Sequence, residues 1–427
     1  MKKWFMEMRN FLFLWFGQTF SQLGSRMTSL ALVIFSFTRE GTAMSVALLS
    51  LSAYLPEILF TYLGGSVADR WNRKTLMLMS DLTAALGTLV ILILYRMNAL
   101  TTWHVYGVNL VVGMMNAFQA PAANAALSQI IPPKHYARAS AMQSFSNALN
   151  TLAAPALAAA VVGLGGLEWV LAIDLTTFAI SSLLLLFAVQ IPLLAPMQAQ
   201  TAHGGTREGF RFLRNERPAL LRLILFFAVV NLLASMSGNG LMPALVLART
   251  GGDELAMGTV SSCIGLGALL GSVLTTLLPR PKKPLRVVFV CTAVSFLLCD
   301  LLWGLGRNVF IWAFAAAAGN FPLPMLNANL STVIRMQIPP DRQGRVFAAQ
   351  GTLQFCMIPL GYLLGGWLCD GVMEPLMRSG SAWARFFSML VGTGAGSGIA
   401  VLFLLTGLIG GLISLNEIRQ PVYTQLE

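Results

Sequence analysis

Charged residues are scarce in this sequence. Asp, Glu, Lys and Arg together make up 11% of the 427 residues, against roughly 25% in an ordinary soluble domain. So few charges exclude a soluble enzyme of this length, and they also exclude a disordered scaffold, which needs a high density of charge. The net charge of +11 raises the question of a nucleic-acid partner. The basic residues stand in short clusters between apolar runs, so we expect no nucleic acid.

Histidine and cysteine are few as well, with 3 and 5 residues. The cysteines fall in or beside apolar runs without CxxC spacing, which indicates buried small hydrophobes and no disulfide framework. The histidines (His104, His135 and His203) lie in or beside loops with no metal-ligand spacing. We therefore expect no metal and no cofactor, and a polytopic membrane enzyme is a weak alternative. An ATP-driven pump is excluded because the chain has no Walker A sequence.

Apolar residues are abundant, at 56% of the chain with a mean hydropathy of +0.70. A helix needs about 20 mostly apolar residues to cross the hydrocarbon core of a bilayer. Twelve runs of about this length or longer occur, six on each side of a polar stretch. They are 11–37, 44–68, 75–96, 104–131, 137–163, 169–191, 219–247, 256–279, 286–306, 309–337, 343–370 and 397–415. We predict an all-α integral membrane protein with twelve transmembrane helices.

The distribution of Lys and Arg predicts the orientation of these helices. If both termini are cytoplasmic, 21 of the 28 basic residues lie in cytoplasmic loops and tails and 6 lie in outer loops. An excess of Lys and Arg is typical of cytoplasmic loops. We therefore predict a multi-pass protein with both termini in the cytoplasm, and the net charge follows from this topology.

The polar stretch predicts three parts of the chain. They are an N-terminal six-helix half at 1–191, a cytoplasmic linker at 192–218, and a C-terminal six-helix half with a short cytoplasmic tail at 219–427. Within the linker, Phe210 and Leu213 alternate with Arg211, Arg214 and Arg217 at the spacing of an amphipathic helix. Such a helix lies at a membrane surface, so membrane lipid is an expected partner. Whether it is a plain linker or senses lipid is left open.

The two halves repeat each other at an offset of 207 residues. The sequence Ile-Pro-Pro at 131–133 falls on the same sequence at 338–340, and Arg138 falls on Arg345. In each half this is the end of the fourth run, an inner turn and the start of the fifth run. Two pseudo-symmetric halves related by an axis along the membrane normal are a known plan for secondary transporters.

The loop between the second and third runs carries a specific motif, GGSVADRWNRK. It resembles the signature G-x-x-x-D-R-x-x-R-[RK] of the major facilitator superfamily. The signature positions are Gly65, Asp69, Arg70, Arg73 and Lys74. The resemblance implies that these residues form a conformational-switch motif. Its residue types suit that role, because glycine lets helices approach, aspartate favours a helix N-terminus, and arginine bridges to carboxylate or lipid phosphate.

Further stretches resemble the macrolide-efflux branch of bacterial drug:proton antiporters. They are WFGQTFSQLGSRM, EGTAMSVALLSLSAYLP, AFQAPAANA and AIDLTTFAISS, all in the first half. The resemblance implies a secondary active transporter in the bacterial inner (cell) membrane, which exports amphipathic, macrolide-like drugs or secondary metabolites by alternating access with proton antiport. The implied partners are a small-molecule substrate and protons, and we expect a monomer. The alternative is a carrier of the same fold for a siderophore, a lysophospholipid or a nutrient.

Two other family features differ in this chain. The segment AAPALAA around Pro155 resembles the antiporter motif G-P-x-x-G-G with alanines in place of glycines, while its repeat partner keeps Gly361, Gly365 and Gly366. These small residues serve either generic close packing or helix bending during alternating access. The buried span-four arginine that the family links to proton coupling corresponds to Val112 here. Coupling therefore needs another group.

Ionisable side chains at membrane depth are costly and usually mark a pathway or a buried pair. Arg26 and Glu57 fall at matching depths on either side of the hairpin turn near residue 41, so we expect a charge pair. It is either a structural salt bridge or a site where Glu57 takes up a proton beside Arg26. Asp174 and Asp300, nearer the outer ends of their runs, are the remaining candidates for proton coupling.

Amide side chains within the runs are candidates for substrate contact, because they are unfavourable when they face lipid. In the superfamily, spans one, four, seven and ten line the central cavity, and the amides of this chain fall in three of them. The resulting candidate cavity residues are Asn116, Gln119, Asn231, Asn239, Asn320, Asn327 and Asn329.

Overall fold

A computed structural model describes residues 2–70, 72–190, 205–279, 281–339 and 342–426. All regular secondary structure in these ranges is helical. Five long helices precede residue 191: α1 (Lys2–Glu40), α2 (Ala43–Arg70), α3 (Arg73–Arg96), α4 (Thr102–Ile130) and α5 (Tyr136–Leu183).

Thirteen helices follow, several of them consecutive pieces of one rod. They are α6 (Gly205–Asn215), α7 (Pro218–Ala234), α8 (Gly240–Thr250), α9 (Glu254–Leu277), α10 (Pro284–Ser295), α11 (Leu301–Leu305), α12 (Val309–Asn320), α13 (Leu323–Gln337), α14 (Gln343–Phe355), α15 (Met357–Leu368), α16 (Glu374–Arg378), α17 (Ala382–Val391) and α18 (Ser397–Glu417).

Nine helical segments in the described ranges are long and apolar enough to cross a membrane. One of them, Arg138–Ala188, has 51 residues, more than twice what a single crossing needs. Its backbone leaves helical geometry at Gly166, with φ 73° and ψ −173°, a conformation that glycine adopts without steric cost. The prediction of an all-helical chain with membrane-length helices is confirmed. The count of twelve spans stays a prediction.

Local sequence explains where several helices begin. The Asn72 side chain accepts hydrogen bonds from the backbone N–H of Lys74 and Thr75, and so caps α3. Asp253 caps α9 in the same way, and Pro218 and Pro284 open α7 and α10 at positions where a missing N–H costs nothing.

Short π-helical turns interrupt several of the rods. They occupy Leu184–Ala188, Ser235–Asn239, Phe296–Asp300 and Cys369–Met373. A π-turn inserts an extra residue into the helix and shifts the register of the side chains that follow, and such turns are frequent at functional sites. Composition does not reveal them, because a π-turn changes the register of a helix and not the kinds of residue in it.

The chain divides into two compact units. The first unit is Met1–Arg39 with Leu49–Gln200, and the second unit is Glu40–Leu48 with Thr201–Glu427. The three parts predicted from sequence stay a prediction, and residues 192–204 of the linker lie outside the described ranges. The start of α2 belongs to the second unit, where Asp370 accepts hydrogen bonds from the backbone N–H of Ala43 and Met44 at 3.2 and 2.8 Å.

Helix α6 packs within the second unit against α7 and α14. Its Phe212 and Leu213 are buried, whereas Arg211 and Arg214 are exposed, so the helix is amphipathic. The Arg345 Nη1 lies 2.6 Å from the Glu208 Oε1, and this ion pair links α6 to α14. Its position at a membrane surface stays a prediction.

Glycines allow helices of the second unit to approach each other closely. A Cβ placed on Gly267 or Gly271 of α9 would lie 2.1 or 1.9 Å from a backbone carbonyl oxygen of α12 or the residue that follows it. Helix α7 and the π-turn Ser235–Asn239 that continues it form one rod, here called the α7 rod. A Cβ on Gly361 or Gly365 of α15 would lie 2.6 or 2.4 Å from a backbone carbonyl oxygen of this rod. These distances leave no room for a side chain, so close packing requires glycine at each position.

Candidate transport site

The signature motif spans the end of α2 and the start of α3. Gly65, Asp69 and Arg70 end α2, and their side chains lie outside the described part of the structure. Lys74 opens α3, and its Nζ donates hydrogen bonds to the carbonyl oxygens of Leu186 and Val189, at 2.8 Å each. Leu186 lies in the π-turn that follows α5, and Val189 is the residue directly after that turn. These hydrogen bonds of Lys74 therefore connect the start of α3 to the π-turn at the end of α5.

Arg26 and Glu57, the predicted charge pair, lie on α1 and α2. The Arg26 Nη1 donates a hydrogen bond to Thr151 Oγ1 of α5 at 2.8 Å, and Glu57 is half-buried. The observed bond connects α1 to α5. A pair between Arg26 and Glu57 stays a prediction.

Asp81 of α3 is the first of three buried carboxylates in the described part of the chain, with 3% of the residue exposed. Gln119 Nε2 donates to its Oδ1 at 2.7 Å, and Gln18 Nε2 donates to its Oδ2 at 3.3 Å. Gln119, predicted from sequence to line the substrate cavity, therefore uses its amide to join α4 to α3. Asp81 joins α1, α3 and α4 of the first unit.

Asp174, in the part of α5 after the break at Gly166, is almost completely buried, with 1% of the residue exposed. Thr28 Oγ1 and Thr88 Oγ1 donate to its Oδ2 at 2.9 and 3.1 Å, and Ser25 Oγ lies 3.5 Å from its Oδ1. The donors come from α1 and α3. Three neutral hydroxyls thus surround this carboxylate, and in the described part of the chain it has no basic partner.

A cavity of about 230 Å³ opens beside this carboxylate, inside the first unit. Asp174, Thr28, Thr88, Asn109 and Asn116 contribute polar groups to its wall. Three serines and apolar side chains from all five helices α1–α5 also line the wall, including Val112, where the family's arginine is absent. The cavity has both polar and apolar residues in its wall and is large enough for several water molecules.

Comparison with known proteins identifies the fold. The sequence profile of the Major Facilitator Superfamily matches residues 14–361. The chain belongs to this superfamily. The resemblance inferred from the signature motif is confirmed, and the protein is a transporter, not an enzyme.

Curated relatives of this superfamily member include two exporters. Macrolide efflux protein A of Streptococcus pyogenes is 24% identical over 380 residues, which cover 87% of this chain and 92% of that protein. Enterobactin exporter EntS of Shigella flexneri is 24% identical over 396 residues, covering 90% of this chain and 84% of that protein.

Solved structures support the same fold. A bacterial homologue of the iron transporter ferroportin, in an inward-facing state, superposes with a TM-score of 0.70 and 14% identity. The superposition covers 96% of this chain and 98% of that one. At this identity the likeness shows the fold alone.

Asp300 is a buried carboxylate in the second unit of this transporter, with 5% of the residue exposed. It lies at the end of a π-turn, and Ser237 Oγ and Thr406 Oγ1 donate to its Oδ2 at 2.9 and 3.0 Å. Each unit therefore buries a carboxylate that is bonded to hydroxyl groups. In the second unit, Gly407 permits α18 to lie close to Asp300, because a Cβ at position 407 would lie 2.9 Å from the Asp300 Cβ.

The predicted amides have different surroundings. Asn231 Nδ2 donates to the Gln354 carbonyl oxygen at 3.1 Å, while Asn320 and Asn329 each donate to the carbonyl four residues earlier in their own helices. Asn116 and Asn327 are exposed, and the Asn239 side chain lies outside the described part. Substrate contact by these amides stays a prediction.

Sequence reasoning did not single out Ser25, Thr28 and Thr88. Hydroxyl residues are common in membrane helices, where they bond to their own backbone, so their identity alone carries little information. A spacing of three residues places Ser25 and Thr28 on one face of α1, but the carboxylate they meet is about 150 residues away in sequence. Only the packing of α1, α3 and α5 shows their common role.

Proposed function

We propose that this transporter exports amphipathic drugs or secondary metabolites, of the macrolide type, by alternating access with protons moving in the opposite direction. The observation that carries the proposal is the similarity to macrolide efflux protein A, which extends over 92% of that protein. Antibiotic resistance of the bacterial host is the expected phenotype.

The proposed arrangement is twelve spans in two six-helix pseudo-symmetric halves, at 1–191 and 219–427, with the linker and both termini in the cytoplasm. The basic clusters between the apolar runs support this orientation. The protein works as a monomer in the bacterial cell membrane and contacts membrane lipid.

The signature residues Gly65, Asp69, Arg70, Arg73 and Lys74 are proposed to control the conformational switch. The hydrogen bonds of Lys74 to the end of the first unit support a role in helix contacts. Asp69→Asn should reduce transport at least tenfold. The affinity of the purified protein for substrate should change by less than about fivefold, which corresponds to a ΔΔG of binding below about 1 kcal/mol. Loss of binding by a folded variant would assign Asp69 to substrate contact instead.

The amides Asn116, Gln119, Asn231, Asn239, Asn320, Asn327 and Asn329 are proposed to line the substrate path. The exposure of Asn116 and Asn327 supports this for two of them. In a variant without native cysteines, a single cysteine at either position should react with a water-soluble thiol reagent, and substrate should slow the reaction. A variant that keeps only the native Cys369, which is completely buried, is the control and should stay unreactive. Inert cysteines at 116 and 327 would contradict the assignment.

Proton coupling is proposed to use a carboxylate that changes its surroundings between access states. Glu57 beside Arg26 is one candidate, and Asp174 and Asp300 are the others. All three lie in helices, and the two aspartates are buried among neutral donors, where an unbalanced charge is costly. Glu57→Gln should abolish uphill efflux and retain downhill exchange if Glu57 carries the proton. Uphill efflux at the normal rate would assign Glu57 a structural role.

A second candidate substrate is a siderophore. The similarity to enterobactin exporter EntS covers 84% of that protein at the same 24% identity as the macrolide relative. The two candidates are distinguished by one comparison in cells that lack their own exporters. Expression of the wild-type chain should lower macrolide susceptibility relative to expression of Asp69→Asn, with both variants present in the membrane at equal amounts. Unchanged susceptibility together with increased catecholate siderophore in the medium would favour the second candidate.

A further inference from the structure

Helix α17 exposes large apolar side chains although it is too short to cross a membrane. Its 10 residues extend about 15 Å, which is about half the thickness of the hydrocarbon core of a bilayer. Trp383, Phe386 and Met389 are 66%, 53% and 76% exposed, and their spacing places them on one face of the helix. An exposed apolar face of this kind marks a contact with another molecule or with lipid.

The opposite face of α17 packs within the second unit. Ala384 and Val391 are buried on that face, and α17 contacts α11, α16 and α18. The half-buried Phe387 stacks against Trp383, with the ring centroids 6.4 Å apart. The helix is thus fixed to the protein by one face, and its aromatic face is left for an external contact.

Both ends of α17 are capped by side chains of the protein. The Ser381 Oγ caps the first turn. At the other end, Arg249 Nη2 donates to the Val391 carbonyl oxygen at 2.7 Å. Arg307 Nη2 donates to the Met389 carbonyl oxygen at 3.3 Å. Polar groups at a helix end otherwise need water, which is scarce below the headgroups of a bilayer. The caps therefore suit a helix that lies partly in lipid.

The neighbours of α17 indicate its depth. Arg249 lies in the last turn of α8, Arg307 follows α11 by two residues, and the start of α18 follows α17. Four segments of membrane length begin or end beside α17: Pro218–Thr250, Pro284–Leu305, Arg345–Arg378 and Ser397–Glu417. The ends of membrane-crossing helices lie at the bilayer surface, so α17 lies at that surface as well. In the proposed topology this is the outer surface.

We infer that the exposed face of α17 is a lipid-binding surface, which lies at the boundary between the headgroups and the acyl chains. Trp383 and Phe386 contact the upper part of the acyl chains, as aromatic residues do at membrane interfaces. Arg385 is also exposed and lies at the edge of this face, within reach of lipid phosphate. An apolar face with a basic edge matches these two layers of a lipid surface. The inference does not depend on the substrate or on the direction of transport.

The test measures the depth of this face in the full-length protein reconstituted into liposomes. Cys263 and Cys356, which are not buried, are replaced by serine, and the three buried cysteines are kept. Phe386→Cys or Met389→Cys then receives an environment-sensitive fluorophore. Three quenchers are compared: a lipid with a nitroxide near the glycerol backbone, a lipid with a nitroxide near the chain end, and iodide in the water.

The nitroxide near the glycerol backbone should quench both labels at least about twofold more strongly than the other two quenchers. The reason is that an interfacial helix buries its apolar face only about 5–10 Å into the boundary. Leu408→Cys, in the middle of α18 and 46% exposed, is the deep control and should be quenched most by the nitroxide near the chain end. Thr393→Cys, in the exposed loop after α17, is the aqueous control and should be quenched most by iodide.

Three results would overturn the inference. If iodide is the strongest quencher at positions 386 and 389, the face lies in water. If the nitroxide near the chain end is the strongest, the helix lies deep in the bilayer. If none of the three quenchers acts on either label, protein covers the face, as in contact with a second copy of the chain. If one labelled variant does not fold, the other variant gives the result.

Discussion

Replacing Gly365 by alanine tests the close packing of α15 against the α7 rod. The Cβ of the new alanine would lie 2.4 Å from the Met236 carbonyl oxygen and 3.0 Å from the Met236 Cα. Both atoms belong to the backbone, so no side-chain rotation relieves the overlap. The helices must separate by about 1 Å before the 3.4 Å of ordinary contact is reached.

The expected magnitude follows from two opposing effects. Overpacking of a well-packed interior costs about 1–3 kcal/mol. Alanine in the middle of a helix is favoured over glycine by roughly 0.5–1 kcal/mol. The packing cost is the larger effect, so Gly365→Ala should lower the free energy of unfolding by about 1–2 kcal/mol.

Gly351 of α14 provides a matched control. A Cβ there would be 3.7 Å from the nearest atom, in the Phe355 ring, which is an ordinary contact. Gly351→Ala therefore keeps the helix-propensity gain without the overlap and should be as stable as wild type or more so.

The assay is thermal unfolding of each purified variant in the same detergent, with intrinsic tryptophan fluorescence as the signal. Gly365→Ala should have a lower Tm than wild type, and Gly351→Ala an equal or higher one. Equal Tm values for Gly365→Ala and wild type would show that α15 and the α7 rod separate at no cost. That result would refute the requirement for glycine at this contact.

Three further predictions concern single interactions of the first unit. Lys74→Met leaves two carbonyls after α5 without their shared donor and should cost about 1–3 kcal/mol, seen as a lower Tm; an unchanged Tm would show that water replaces the ammonium. Gln119→Leu removes the 2.7 Å hydrogen bond to the buried Asp81 carboxylate and should also lower Tm. Gln119→Glu should restore this hydrogen bond only in acid, where the new carboxyl group is protonated and can donate. Glu7 lies outside the apolar run 11–37, and hydrogen bonds from Lys134 and then His135 lower the pKa of its carboxyl below the ordinary 4.5. The contribution of Glu7 to stability is thus complete above the ordinary pKa and is lost as the pH falls through the lowered value. Exchange of nearby amide hydrogens should therefore rise in acid for wild type. Glu7→Gln should show no such step.

The sequence predicted the class of fold because that class depends on summed properties. Apolar runs of membrane length and the motif around Asp69 and Arg73 are visible in one dimension, and the family match confirms the conclusion drawn from them. The sequence also separated the runs 137–163 and 169–191, and the backbone leaves helical geometry between them, at Gly166. The π-turns were not predicted, because they alter the register of a helix without altering its composition.

Pairings between distant helices were the least predictable features. Matching depth predicts a pair of Arg26 with Glu57, and this stays a prediction because depth leaves the rotation of each helix undetermined. The hydrogen bond of Arg26 to Thr151 was not predicted. Rotation also decides that Gln119 meets a carboxylate of α3. The sequence placed Asp174 near the outer end of its run, but it did not reveal that the packing of three helices buries this side chain beside a cavity. A single sequence contains the residues of such a site but not their neighbours.

The most direct test of proton-driven export uses everted membrane vesicles from cells that express the protein. A pH gradient, acid inside, is imposed at constant membrane potential, and uptake of a radiolabelled macrolide is followed. Proton-driven export predicts accumulation above the external concentration, its collapse by a protonophore, and its absence in vesicles with an equal amount of Asp69→Asn. Accumulation that is the same in vesicles without the protein, or that ignores the pH gradient, would contradict the account.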